Sequence, residues 1–192
     1  EREHIRNATT DLTQFMRSLD DGATVSDTEV YAPDGQVHRL ADCWARGPGL
    51  IVCGSLTCPP SRVFNPAIQR INAAFGRRLQ ATVLYVIDAH PFGSPCPYTG
   101  TDWVTADNEA AGLLVAQPQV LEDRLMLARR YIELLGLQSP VFVDGMQNAA
   151  WEQLGRSPNS ATVIGADGAV LFWQDWFRPD ALFDWLSAHL PD

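Results

Sequence analysis

Two short, unbroken apolar runs constrain this chain more than any other feature: GLIVCGS at residues 49–55 and ATVLYVID at 81–88. Short continuous apolar runs suit strands buried on both faces of a sheet. Between them, SRVFNPAIQRINAAF sets Phe64, Ile68, Ile71 and Phe75 on one helical face, with Pro66 expected to kink the helix. A strand, a helix and a second strand in this order imply a parallel pair. PVFVD at 140–144 reads as a third apolar strand, and SATVIGADGAVLFWQ as a hairpin turning at Ala166-Asp167-Gly168. The expected fold class is therefore α/β, a mixed central sheet with helices on both faces.

The flanking segments fit this frame. Residues 2–19 carry Ile5, Leu12, Phe15, Met16 and Leu19 at near-helical spacing, and TEVYAPDGQVHRL reads as two strands around a Pro-Asp-Gly turn. LEDRLMLARRYIELLG predicts a helix with Leu121, Leu125, Ala128, Ile132 and Leu135 on one face, an Arg129/Glu133 pair, and Gly136 as its stop. AAWEQLG reads as a short helix, and Pro179-Asp180 opens a last one carrying Leu182, Phe183, Leu186 and Leu190. About 28 residues between His90 and that long helix predict a functional or mobile loop. The expectation is one domain over 1–192: an N-terminal helix (1–22), a hairpin (23–40) and a core (41–192).

Charge and composition narrow the class. Forty-six per cent of the 192 residues are hydrophobic, enough for a real core. The net charge is −9, with no Lys/Arg stripe, so nucleic acid is not an expected partner. No apolar stretch approaches the roughly 20 residues of a membrane span, and EREHIRNATTDL does not have the layout of a signal peptide. Cys43, Cys53, Cys58 and Cys96 fit neither a zinc framework nor a dense disulfide scaffold. The expectation is a reduced, cytoplasmic protein without a metal.

In open α/β sheets the site lies beyond the carboxyl ends of the parallel strands. Two such ends are GSLTCPPS and DAHP, which puts Cys58 and His90 on one edge. Cys58 sits where a strand hands over to a helix, and a helix start lowers a thiol pKa. Pro59 and Pro60 suit that start. Ser55 and Thr57 can donate hydrogen bonds to a thiolate or a leaving group. Cys53 and Cys43 read as core thiols. Cys96, in the loop sequence GSPCPYTG, is either a resolving thiol for Cys58 or an unpaired loop cysteine. His90 could hold a substrate oxygen or deliver a proton. Asp88, on the same side of an extended strand, either orients His90 or caps the strand end. His4, His38 and His189 carry no site. Arg178, after Phe172, Trp173, Trp176 and Phe177, is either a clamp for an anionic aromatic ligand or a surface arginine.

Taken together, GSLTCPPS (54–61), LYVIDAHP (84–91) and LEDRLMLAR (121–129), with weaker support from VFVDGM and the final hairpin, resemble the iodothyronine deiodinase family. That family is a branch of the thioredoxin-fold proteins. The resemblance runs from about residue 30 to the C-terminus and implies a thioredoxin-like sheet. It implies reductive removal of iodine from an aromatic substrate, with Cys58 where the family usually carries selenocysteine. Ser55 and Thr57 match residues flanking the nucleophile. Tyr85, Asp88 and His90 match a proton-relay and substrate-binding group, and Arg178 roughly matches a substrate clamp. No bound cofactor is implied; an external thiol or thioredoxin-like protein supplies the electrons, and a homodimer is among the partner expectations. The chain also departs from the family: Pro118 stands near an expected histidine, Leu56 and Ser139 where some members have cysteines. A peroxiredoxin-like or general thiol oxidoreductase is the alternative. Ser55 fits the peroxiredoxin pattern and Ile51 does not, while Ser61 denies a CxxC dithiol.

Overall fold

The computed structural model describes residues 15–190. The strands are β1 (Glu29–Tyr31), β2 (Val37–Arg39), β3 (Gly49–Gly54), β4 (Gln80–Tyr85), β5 (Val141–Asp144), β6 (Ala161–Ile164) and β7 (Val170–Gln174). The α-helices are α1 (Pro59–Phe64), α2 (Ile68–Phe75), α3 (Ala106–Ala110), α4 (Leu121–Leu135), α5 (Ala149–Gln153) and α6 (Pro179–His189). One mixed sheet results, in the order β2-β1-β5-β4-β3-β6-β7. β3, β4 and β5 are parallel, and the two hairpins flank them antiparallel, β6 on β3 and β1 on β5.

The apolar runs are continuous because both sheet faces are covered. Leu50 and Val52 point into a core shared with Ile68, Ile71, Phe75, Leu125, Tyr131 and Leu186, so α2, α4 and α6 pack on that face. Ile51 and Cys53 point the other way, into a core with Cys43, Trp44, Cys58, Cys96, Tyr98 and Trp151. Neighbours of opposite orientation are thus both buried, as a central strand requires. Gly136 adopts φ 59°, ψ 37° and stops α4 as its left-handed position demands.

Several expectations change. The N-terminal helix falls mostly on residues outside those described, and 15–19 form a turn and irregular chain. In the 23–40 hairpin only Glu29–Tyr31 and Val37–Arg39 pair as strands. The helix around Pro66 is broken rather than kinked, by a 3₁₀ turn at Asn65–Ala67, and Phe64 is exposed. Proline there cannot donate and crowds the preceding turn. The second strand ends at Tyr85, three residues before Asp88. The long loop after His90 contains α3, whose Thr105 side chain caps it by accepting from the Asn108 amide. Arg129 pairs with Glu122 at 2.7 Å instead of with Glu133, because its guanidinium is drawn toward the hairpin turn, where it also donates to the Pro33 carbonyl.

Gly54, where β3 leaves the sheet, has no room for a side chain. A Cβ there would stand 2.5 Å from Asn65 Nδ2 and 2.6 Å from the Tyr131 hydroxyl. Gly54→Ala should therefore destabilise the fold by about 1–3 kcal/mol through overpacking. A denaturant midpoint equal to wild type would show that α1 and α4 do not close on the strand in this way.

Candidate active site

Three residues link the end of β3 to Cys58, which has extended backbone (φ −90°, ψ 107°) and is the N-cap of α1. Pro59 occupies the first helical position, where its missing N–H costs nothing. The strand-to-helix junction expected from the sequence is thus present. The thiol, however, is only 1% exposed, and burial pushes its pKa up to about 11. The Ser61 amide and hydroxyl, and the Arg62 charge, pull the other way without winning. Desolvation outweighs the start of a six-residue helix.

Ser61 stands in the place of a second CxxC cysteine, and its hydroxyl ties the turn together. It donates toward the carbonyls of Ser55 (2.8 Å) and Cys58 (3.0 Å) and accepts from the Ser55 amide (3.3 Å). Beneath it, Asn65 and Asn159 both donate to the Cys53 carbonyl, at 3.2 and 2.9 Å, and Asn159 also donates to Asn65 Oδ1 at 2.7 Å. These partners lie up to 106 residues apart in sequence, so no local pattern announces them.

The second strand-end loop meets the first through Asp88. One carboxylate oxygen accepts from the Thr57 hydroxyl (2.9 Å) and amide (3.2 Å); the other accepts from the Tyr85 hydroxyl (2.9 Å). Tyr85 in turn accepts from the Leu56 amide at 3.2 Å. Burial raises the Asp88 pKa, while Tyr85, Thr57 and the Arg124 charge oppose the rise. Desolvation and the neighbouring Asp88 charge raise Tyr85 as well. Tyr85, Asp88 and Thr57 therefore form one connected buried unit. Gln117 fixes it from behind: its side chain donates to the Asp88 carbonyl and accepts from the Asp88 amide, both at 3.1 Å.

Two roles expected from sequence fall differently. The Thr57 hydroxyl is committed to Asp88 and accepts from the His90 amide at 3.0 Å, and the Ser55 hydroxyl accepts from the Ala89 amide at 3.4 Å. Both organise the loops rather than solvate sulfur. Asp88 holds Thr57 and Tyr85, not the His90 ring, because the chain has left the extended conformation that would align them.

His90 is 6% exposed and packs edge-on against Trp103, ring centroids 4.3 Å apart. Burial lowers its pKa to about 4, against the pull of the Trp103 carbonyl. The ring is neutral at physiological pH, and its Nδ1 has no hydrogen-bond partner among the described residues. Asn108 of α3 donates to the Thr57 carbonyl at 2.9 Å, so the segment after His90 is fastened to the residue before Cys58. The Phe92 amide donates to the Val115 carbonyl at 2.7 Å and closes the neck of that segment.

Cys96 is buried in the same core as Cys58 and Cys53. All three sulfurs lie near enough to the Tyr98 hydroxyl to help raise its pKa, after desolvation. All four cysteines are free. Arg178 stands apart, with its side chain 56% exposed and its guanidinium 2.9 Å from Asp175. It lies at the end of β7 that matches the Cys58 edge, but two strands away across β6. Among the described residues no three His, Cys, Asp or Glu side chains gather as metal ligands, and no helix is long and apolar enough to cross a membrane.

The sequence profile of the iodothyronine deiodinase family matches residues 7–173. Thyroxine 5-deiodinase of Ovis aries is 30% identical over 181 residues, covering 91% of this chain and 58% of the relative. That of Sus scrofa is 25% identical over 181 residues, covering 91% and 55%. The chain thus spans a little over half the length of these relatives. Among solved structures, the thioredoxin domain of a thiol-disulfide oxidoreductase from Bacteroides vulgatus superposes with TM-score 0.62 at 12% identity, covering 90% of this chain and 99% of that one. A peroxidoxin from Mycobacterium tuberculosis gives TM-score 0.58 at 17% identity, covering 90% and 97%. These likenesses show a thioredoxin-like fold.

The His90 environment predicts a stability profile. Between the folded pKa of about 4 and the ordinary value of 6.5, the unfolded chain holds a proton that the native ring does not. Stability is therefore lost as pH falls through this window, by an amount on the order of 3 kcal/mol. Urea unfolding at both ends of the window should show His90→Asn losing less stability than wild type by that amount. Equal losses would mean the ring titrates normally in the fold.

Proposed function

The chain belongs to the iodothyronine deiodinase family, and on that premise we propose that it is a thiol-dependent reductive dehalogenase of iodinated aromatic compounds, with Cys58 as nucleophile. The observation that carries the reading is a lone cysteine at the strand-to-helix junction of the active edge, with serine in place of a second cysteine, inside a family match covering residues 7–173. A dithiol reductase needs the sulfur that Ser61 replaces.

The Cys58 thiolate attacks iodine along the carbon–iodine bond. The S–I bond forms as C–I breaks, and the ring carbon takes a proton in place of the halogen. The Tyr85–Asp88–Thr57 unit can hold and pass that proton, because its hydroxyls and carboxylate are already bonded in series. The Nδ1 of neutral His90, without a partner among the described residues, can accept a hydrogen bond from a substrate hydroxyl. A second thiol then displaces iodide from the sulfenyl iodide, giving a disulfide and hydrogen iodide, and a further thiol restores Cys58. The sum is aryl iodide plus two thiols to arene, hydrogen iodide and disulfide.

Two features shape this chemistry. A nucleophile 1% exposed cannot meet an aryl iodide, so entry requires the segment pinned at Phe92–Val115 to shift. Such opening also relieves the desolvation that keeps the thiol protonated. Cys96, in the same core, is the proposed first reductant, with an external thiol or thioredoxin-like protein following. Four free cysteines suit a reducing compartment. Arg178 is a candidate for an anionic end of the substrate only if its Asp175 pairing yields.

Incubation with thyroxine, iodotyrosine, hydrogen peroxide and a model disulfide, each with excess dithiol, tests the reading. Iodide release should occur, rise with pH above neutrality, and vanish in Cys58→Ser. Turnover of peroxide alone would overturn it in favour of a peroxidase. Without added thiol, wild type should release one equivalent of iodide and form a Cys58–Cys96 disulfide detectable by mass spectrometry, whereas Cys96→Ser should form one equivalent of arene and keep the iodine on Cys58. Only a Cys58 adduct in wild type would remove Cys96 from the cycle.

A further inference from the structure

The opposite end of the sheet carries a feature that the dehalogenase chemistry does not use. Where the parallel strands begin, a cleft of about 540 Å³ opens between the turn before β3, the end of α2 and the entry to β5. Arg46, Arg77 and Arg78 line it together with Asn72, Gln80 and Pro140, and among the described residues no aspartate or glutamate does. This is unexpected in a chain with 23 acidic against 14 basic residues. Arg46 and Arg77 are exposed and make no ion pair among the described residues. Arg78 lies over the Phe75 ring, 5.3 Å from its centroid, and donates to the Leu190 carbonyl, so its side chain forms part of the rim.

We propose that this cleft binds the phosphate group of a small phosphate ester. The guanidinium forks of Arg46 and Arg77, which make no ion pair among the described residues, offer paired N–H donors that match a tetrahedral phosphate dianion. The volume lies within the range of small-molecule sites. The net charge of −9 repels an extended polyanion such as nucleic acid, while a short ligand meets only the local positive field. β3 separates the cleft from Cys58 by about 20 Å, so the two sites do not share residues.

Pyrophosphate serves as the probe, titrated into the whole chain by calorimetry and by thermal shift at constant ionic strength, with chloride as the matched control. The expected result is saturable binding at one site per chain and a rise in melting temperature that chloride does not give. Arg46→Gln and Arg77→Gln should each weaken binding about tenfold or more. Arg130→Gln, on α4 and outside the lining, should not. Circular dichroism checks that these surface variants are folded, and the rate of Cys58 alkylation should be the same in all of them. Absence of saturation up to about 10 mM pyrophosphate, a response equal to that of chloride, or binding that survives the double Arg46→Gln/Arg77→Gln substitution would overturn the proposal. Tighter binding of a single-stranded oligonucleotide than of pyrophosphate would overturn it as well.

Discussion

A single buried carboxylate holds the two strand-end loops together. Asp88 has no access to water, and a carboxyl group in that position is tolerable only when its oxygens are bonded. Thr57 and Tyr85 supply those bonds, one from the loop after β3 and one from the end of β4. The position of Thr57 sets that of Cys58, one residue on, and through the His90 amide it also sets the imidazole. Cys58, His90 and the Tyr85–Thr57 hydroxyls therefore share one anchor. Removing the Asp88 side chain would leave the Tyr85 and Thr57 hydroxyls without the acceptor they donate to in the core.

Burial recurs as the deciding term around this anchor. It raises Cys58 and Asp88 and lowers His90, in each case favouring the neutral form. Such a site is quiet as it stands. The segment running from Phe92 to Val115 is held by contacts on the very residues it covers: Asn108 on Thr57, Trp103 on His90. In the proposed reaction, reactivity and access therefore depend on the same surfaces.

Much of this was legible in the sequence. The apolar runs at 49–55 and 81–88 gave the central strands because both faces of a middle strand must be apolar. Gly136 marked a helix end because few other residues tolerate its backbone. Cys58 was legible from its place between a strand and two prolines. What was not legible depends on distance along the chain. Asn159 reaches Cys53 across 106 residues, Asn108 reaches Thr57 across 51, and Gln117 reaches Asp88 across 29. The direction of the Cys58 shift was missed for the same reason: the helix start is local, and the loop that seals the thiol is not. The pairing of Asp88 with His90 failed because it assumed three more residues of strand than β4 has.

Ser61 has a consequence for how this fold relates to dithiol enzymes. A cysteine at that position would have to give up three hydrogen-bonding relations that the hydroxyl makes with Ser55 and Cys58, since sulfur is larger and a weak donor and acceptor. Ser61→Cys would therefore install the letters of a redox pair without its turn.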